Sequence, residues 1–174
     1  DVCSSDLWWT SCHGYNHPDI IKAMQKQLND MPHIMFGGFT HKPAEDLASN
    51  LKTLLPSIYN HYFFVDSGSV AVEVAMKMAI QYWVNKNNKN KRKFLSFKNG
   101  YHGDTLGAMS ICDPLEGMHS LFKDYIPEQI NTDIPIDKAE KENFKNIVFD
   151  NKEELAAIII EPLVQCAGGF RSEE

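Results

Sequence analysis

Cysteine is scarce and scattered in this 174-residue chain: Cys3, Cys12, Cys112 and Cys166 form no CxxC pair. Such spacing indicates neither a zinc knuckle nor a disulfide framework, and points to a reduced, cytoplasmic protein. No apolar run approaches the roughly 20 residues of a membrane helix. No basic-then-apolar leader of signal-peptide type opens the chain. Excess positive charge is missing as well: 17 Lys and Arg stand against 23 Asp and Glu, a formal net charge of −6. Bulk electrostatics therefore supplies no attraction to nucleic acid or to an anionic membrane. Several motifs are also lacking. There is no Walker Gly-Lys-Ser/Thr, no GxGxxG, no GxSxG nucleophile elbow and no HExxH, so no metal is expected. His13 and His17 are four apart, but Gly14 and Pro18 between and beside them spoil a helical metal pair.

What is present is the composition of an ordinary globular domain, 43% hydrophobic and 23% charged, with length for a sizeable core. Pro18 opens a helix on which Ile20, Ile21, Met24, Leu28 and Met31 recur at helical spacing. Pro43 opens a second, with Leu47, Ala48, Leu51, Leu54 and Leu55 on one face. His61 to Val65 (HYFFV) reads as a buried strand, and Val70 to Val84 as a helix apolar almost all round, hence largely buried. Asn85 to Lys93 is a polar, basic stretch read as a solvated loop. Phe94, Leu95 and Phe97 mark a strand, Asp104 to Ser110 a short helix, residues 139 to 146 a further helix, and Ala156 to Ile160 a β-branched strand. Residues 113 to 135, with Pro114, Gly117, Pro127 and Pro135, read as irregular. Strands alternating with helices predict an α/β fold with a mainly parallel sheet and flanking helices.

In such folds ligands bind beyond the carboxyl ends of the strands. Three segments fall at that edge: 66–69, 99–104 and 161–169. Asp66-Ser67-Gly68-Ser69 precedes a helix, where unpaired backbone N–H groups and the positive dipole end favour an anion. The same serines could simply cap the helix, with no ligand at all. Tyr101-His102 lies between Gly100 and Gly103, a setting that lets a ring lie flat on a planar ligand or form an ordinary turn. Glu161 is either a positioned carboxylate or a solvated strand end. Trp8, Trp9 and Tyr15 form an aromatic cluster that suits a core as well as a ligand wall.

Taken together, these segments resemble the class III (ω-type) aminotransferases, fold-type I enzymes dependent on pyridoxal 5′-phosphate. The resemblance is carried by Trp8 to Pro18, Met35 to Ala44, Asp66 to Trp83, Phe97 to Pro114, Met118 to Phe122 and Ile158 to Gly169. Ser67-Gly68-Ser69-x-x-x-Glu73 and Gly100-Tyr101-His102-Gly103-Asp104 are shared across the class. The double Trp, MFGGxTH and SICDPxxxMHSLF are similar to the branch that serves biotin biosynthesis. The resemblance implies a partial large domain of that fold over residues 16–174, with 1–15 leading into it. It implies that Gly68 and Ser69 bind the cofactor phosphate, that Tyr101 stacks on the pyridine ring beside His102, and that Trp8 walls the substrate pocket. Asp104 and Glu161 match positions near the family's active site, Asp104 towards substrate and Glu161 towards cofactor. The implied reaction moves an amino group from S-adenosylmethionine to 8-amino-7-oxononanoate through pyridoxamine phosphate, in a homodimer. Lysine is an alternative amino donor; ornithine or 4-aminobutyrate is an alternative substrate; a non-catalytic binding module is the reading from another class.

Two departures accompany the resemblance. The family reads Gly-Met-Ser-Ser-Trp-Trp where this chain reads Val2-Cys3-Ser4-Ser5-Asp6-Leu7-Trp8-Trp9, so residues 1–7 read as non-native. The family's pyridinium-pairing aspartate and Schiff-base lysine match nothing up to Glu174, and Lys77 matches a non-catalytic position. The chain is therefore expected to be a fragment that is inactive by itself.

Overall fold

The computed structural model describes residues 11–113, 120–122 and 124–162. These fall into two compact units divided between Phe63 and Phe64. The first contains two 13-residue helices, α1 (Pro18–Asp30) and α2 (Lys42–Leu54). Both begin where proline predicts, because a proline in the first turn forfeits no intrahelical hydrogen bond. The His41 side chain caps α2 by accepting from the Ala44 N–H, and its ring stacks on Phe36. Ala44 is buried and Ala48 and Leu51 are half-buried, whereas Ile20, Ile21, Met24 and Leu28 of α1 and Leu47 and Leu54 of α2 are exposed.

The second unit runs α3 (Gly68–Asn85), β1 (Lys93–Phe97), α4 (Leu106–Ser110), a single 3-10 turn (Ser120–Phe122), β2 (Ile130–Thr132), α5 (Lys138–Asp150) and β3 (Leu155–Ile158). The strands form one parallel sheet in the order β2-β1-β3, with Leu95 opposite both Ile130 and Ile158. Alternation along β1 serves two faces. Phe94 joins Met76 of α3 and Ile111 in one apolar cluster. Leu95 and Phe97 join Leu155 in another, under Phe144, Ile147 and Val148 of α5. Helix α5 starts with a reciprocal capping box between Asp137 and Glu140 and extends beyond the span read from the sequence. No described helix is long and apolar enough to cross a membrane.

Three expectations change. His61 to Val65 forms no strand, and Phe63 is 68% exposed. Aromatic content favours a strand only where a neighbour completes the ladder, and no described strand lies beside this segment. Helix α3 is covered on one side only: Met76 is buried against the sheet, while Met78 and Tyr82 are exposed. Within the irregular stretch, Ile130–Thr132 becomes a strand because β1 offers it an edge; three residues are too short for a period to show in the sequence.

Candidate functional site

The site lies at the carboxyl edge of β1 and β3, beside the start of α3. The two serines at that helix start have different duties. The Ser67 hydroxyl accepts from the Val70 N–H at 3.3 Å and caps the helix. Ser69 instead accepts from the Asp104 backbone N–H at 3.1 Å. Gly68 between them is exposed, and a Cβ built there would meet nothing within 4 Å. The first turn of this 18-residue helix is thus open on its glycine side, where orphan N–H groups and the dipole converge.

Beyond β1 the chain reverses sharply. Asn99 adopts φ 61°, its N–H donates to the Asp113 carboxylate at 2.8 Å, and the Gly100 carbonyl accepts from the Asp113 N–H. Tyr101 follows, its backbone N–H donating to Glu161 Oε2 at 3.2 Å and its hydroxyl to Asp104 Oδ2 at 2.9 Å. Partial burial first, and the Asp104 hydrogen bond second, push the Tyr101 phenol up to about 12. The ring therefore stays neutral at physiological pH. The His102 N–H donates to Cys112 Sγ, and burial holds the imidazole below its ordinary value against a smaller opposing pull from Glu161. Burial likewise raises the Cys112 thiol.

Gly103 explains how the turn reaches α3. Its φ is +129°, and a Cβ there would lie 2.2 Å from Ser69 Oγ. Only glycine permits that approach. Gly107 makes a second close approach, its N–H donating to Glu73 Oε1 at 2.8 Å. Thr105 beside it, then the Gly107 N–H, hold the Glu73 carboxyl below the usual carboxylate range, although the buried Thr105 hydroxyl itself makes no hydrogen bond of ordinary geometry among the described residues.

Gly68, Ser69, Tyr101, His102, Asp104 and Glu161 therefore come to one edge, linked by the Ser69–Asp104 and Tyr101–Glu161 hydrogen bonds. Trp8 lies outside the described residues. Lys77 is exposed, two turns along α3 from Ser69. Sequence reasoning did not assign Glu73, Gly107 or Cys112 to the site. For Glu73 a signal existed: it is four residues after Ser69, hence on the same helix face. Cys112 gave none, because only the fold returns it to His102. Among the described residues, no three His, Cys, Asp or Glu side chains form a group that could hold a metal ion.

The sequence matches the family described as aminotransferase class-III over residues 1–174. The chain belongs to that family. Curated members similar to it are adenosylmethionine-8-amino-7-oxononanoate aminotransferases. The one from Corynebacterium glutamicum is 46% identical over 98% of this chain and 41% of its own length. That of Saccharomyces cerevisiae is 40% identical over 98% of this chain and 39% of its own. The chain thus spans about two fifths of the length of these class III relatives. Among solved structures, the same-named enzyme of Methanocaldococcus jannaschii superposes with a TM-score of 0.75 at 32% identity, covering 83% of this chain and 33% of that one. An amine transaminase from an uncultivated Pseudomonas species, in its PLP-bound form, gives 0.68 at 26% identity, covering 86% and 37%. The α/β fold of these class III transaminases, with its parallel sheet and flanking helices, is the fold observed here.

Proposed function

We propose that this chain is the cofactor-binding part of a pyridoxal-phosphate-dependent aminotransferase of biotin biosynthesis. The reaction transfers an amino group from S-adenosylmethionine to 8-amino-7-oxononanoate, giving 7,8-diaminononanoate. The observation that carries the cofactor assignment is the Asp104 N–H to Ser69 Oγ hydrogen bond, which ties a ring-bearing turn to an open helix start. An aromatic phosphate needs those two features side by side.

The residues fit such a group. Gly68 leaves the α3 N-terminus accessible to a phosphate, and Ser69 adds a hydroxyl at its margin. The neutral Tyr101 ring is held at its hydroxyl by Asp104 and at its backbone by Glu161, which suits it to lie against a pyridine ring with His102 beside it. Bound there, pyridoxal phosphate supplies the electron sink that amino-group transfer requires. The chain's own part is to bind the phosphate, orient the ring and line the approach, with Asp104 and Trp8 on the substrate side. Residues 16–174 make up the partial large domain, no lysine within it matches the family's Schiff-base position, and the whole protein works as a cytoplasmic homodimer. The names of the relatives favour this substrate pair over ornithine or 4-aminobutyrate.

The test is to incubate the full-length protein with pyridoxal phosphate, 8-amino-7-oxononanoate and either S-adenosylmethionine or lysine, following 7,8-diaminononanoate by mass spectrometry. Product with S-adenosylmethionine is expected. Product with lysine alone reassigns the donor, and no product with either overturns the pathway assignment. The 174-residue chain by itself is expected to give none.

A further inference from the structure

The shared motif Ser67-Gly68-Ser69-x-x-x-Glu73 ends in a carboxylate that none of the implied cofactor contacts uses. On α3, Ser69 and Glu73 are one turn apart and face the same way. Each accepts a backbone N–H from the segment that carries the site: Ser69 from Asp104, Glu73 from Gly107. Each is approached closely by a glycine. A Cβ on Gly103 would lie 2.2 Å from Ser69 Oγ, and one on Gly107 would lie 2.8 Å from Glu73 Cδ. The segment 103–107 is therefore laid along α3 and held at two points about a helical turn apart. Beyond Gly107 the chain is anchored, since Ala108, Met109 and Ile111 are buried. Before Gly103 stands Tyr101, whose hydroxyl donates to Asp104, the residue that Ser69 holds.

We propose that Glu73 is a positioning residue for the cofactor ring. By fixing Gly107 to α3 it sets the path of residues 103–107, and through Asp104 the tilt of Tyr101. This rests on the pyridoxal-phosphate reading above. Ser69 ties the segment to α3 at Asp104, and Glu73 ties it again at Gly107, so both ends of 103–107 are registered against the helix. The carboxylate is ionised at neutral pH, which strengthens the bond it accepts.

The experiment uses the full-length protein and its Glu73→Ala, Glu73→Met and Glu73→Gln variants. Three quantities are read: the pyridoxal phosphate dissociation constant, the induced visible circular dichroism of the bound cofactor, and the thermal midpoint. Loss of the acceptor in Glu73→Ala is expected to weaken binding about tenfold and to cut the induced dichroism, which reports how the ring is held. Glu73→Met keeps the side chain's bulk without an acceptor and should lose dichroism equally, so a misfolded alanine variant does not end the test. Glu73→Gln retains an acceptor for the Gly107 N–H and should stay within about threefold of the wild type, with its dichroism preserved. If Ala or Met lowers only the thermal midpoint and leaves binding and dichroism at wild-type values, Glu73 is merely structural and the proposal fails. It fails equally if Gln behaves as Ala does. No cofactor binding by the wild type would instead overturn the functional reading on which the proposal stands.

Discussion

In the unit ending at Phe63, Leu28 of α1 is 61% exposed and Leu54 of α2 is 78% exposed. In the unit beginning at Phe64, Phe94 of β1 is 1% exposed and Leu95 is sealed completely. Both regions carry strong apolar periodicity, so pattern does not separate them. The difference is how much cover this stretch of chain, about two fifths of its relatives' length, supplies to each. Strand β1 is central in its sheet, with α3 on one face and α5 on the other, and every second residue finds a cluster. Helices α1 and α2 are defined by local signals, proline at the start and spacing along the face, and those signals do not supply a partner. Apolar periodicity thus announces a helix without guaranteeing burial, whereas a parallel strand exists only with its neighbours in place.

The largest effect that sharpens this contrast comes from paired truncations. Phe94→Ala should cost about 3–5 kcal/mol by emptying the centre of the α3 cluster. Leu28→Ala should change stability by no more than about 0.5 kcal/mol. Urea unfolding of both variants of the 174-residue chain is the measurement. A cost for Leu28→Ala comparable to that of Phe94→Ala would mean that α1 is covered in solution and would erase the comparison.

Glycines with positive φ give a second, smaller contrast. Gly38, at φ +88°, has nothing within 4 Å of a built Cβ, so Gly38→Ala should cost only conformational strain, about 1–2 kcal/mol. Gly103→Ala adds a collision with Ser69 and should cost about 3 kcal/mol or more, with loss of the hydrogen bond to Asp104. Chemical denaturation together with the amide resonance of Asp104 reads both quantities. Equal costs at the two positions would show that the turn yields without strain.

The smallest effect is one of pH. Burial lowers the folded-state pKa of His102 below the ordinary histidine value of about 6.5. As pH falls through that value, the unfolded chain takes up a proton that the folded chain refuses, so stability drops on acidification; above it the group contributes no pH dependence. Denaturant midpoints between pH 7.5 and 5.5 should therefore fall more steeply for the wild type than for His102→Gln. A wild-type slope no steeper than the variant's would place the imidazole in solvent.

Much of the fold was legible in the residues. Proline at 18 and 43, the spacing of Leu47, Leu51 and Leu54, and the Phe94-Leu95-Phe97 run each locate an element through backbone sterics or side-chain period. The segments after β1 and β3 and the start of α3 pointed to one edge, although the strand expected before 66–69 did not form. These are local properties, settled within a few residues of chain. Tertiary structure alone decided the rest. It left HYFFV without a ladder, made a strand of Ile130–Thr132 by offering β1 as an edge, and returned Cys112 to the His102 N–H. It also chose between the two serines at the helix start, giving Ser67 to the cap and Ser69 to Asp104, thirty-five residues away. A hydrogen bond across such a distance depends on where two elements are packed, and packing is a property of the whole arrangement that no single window of sequence contains.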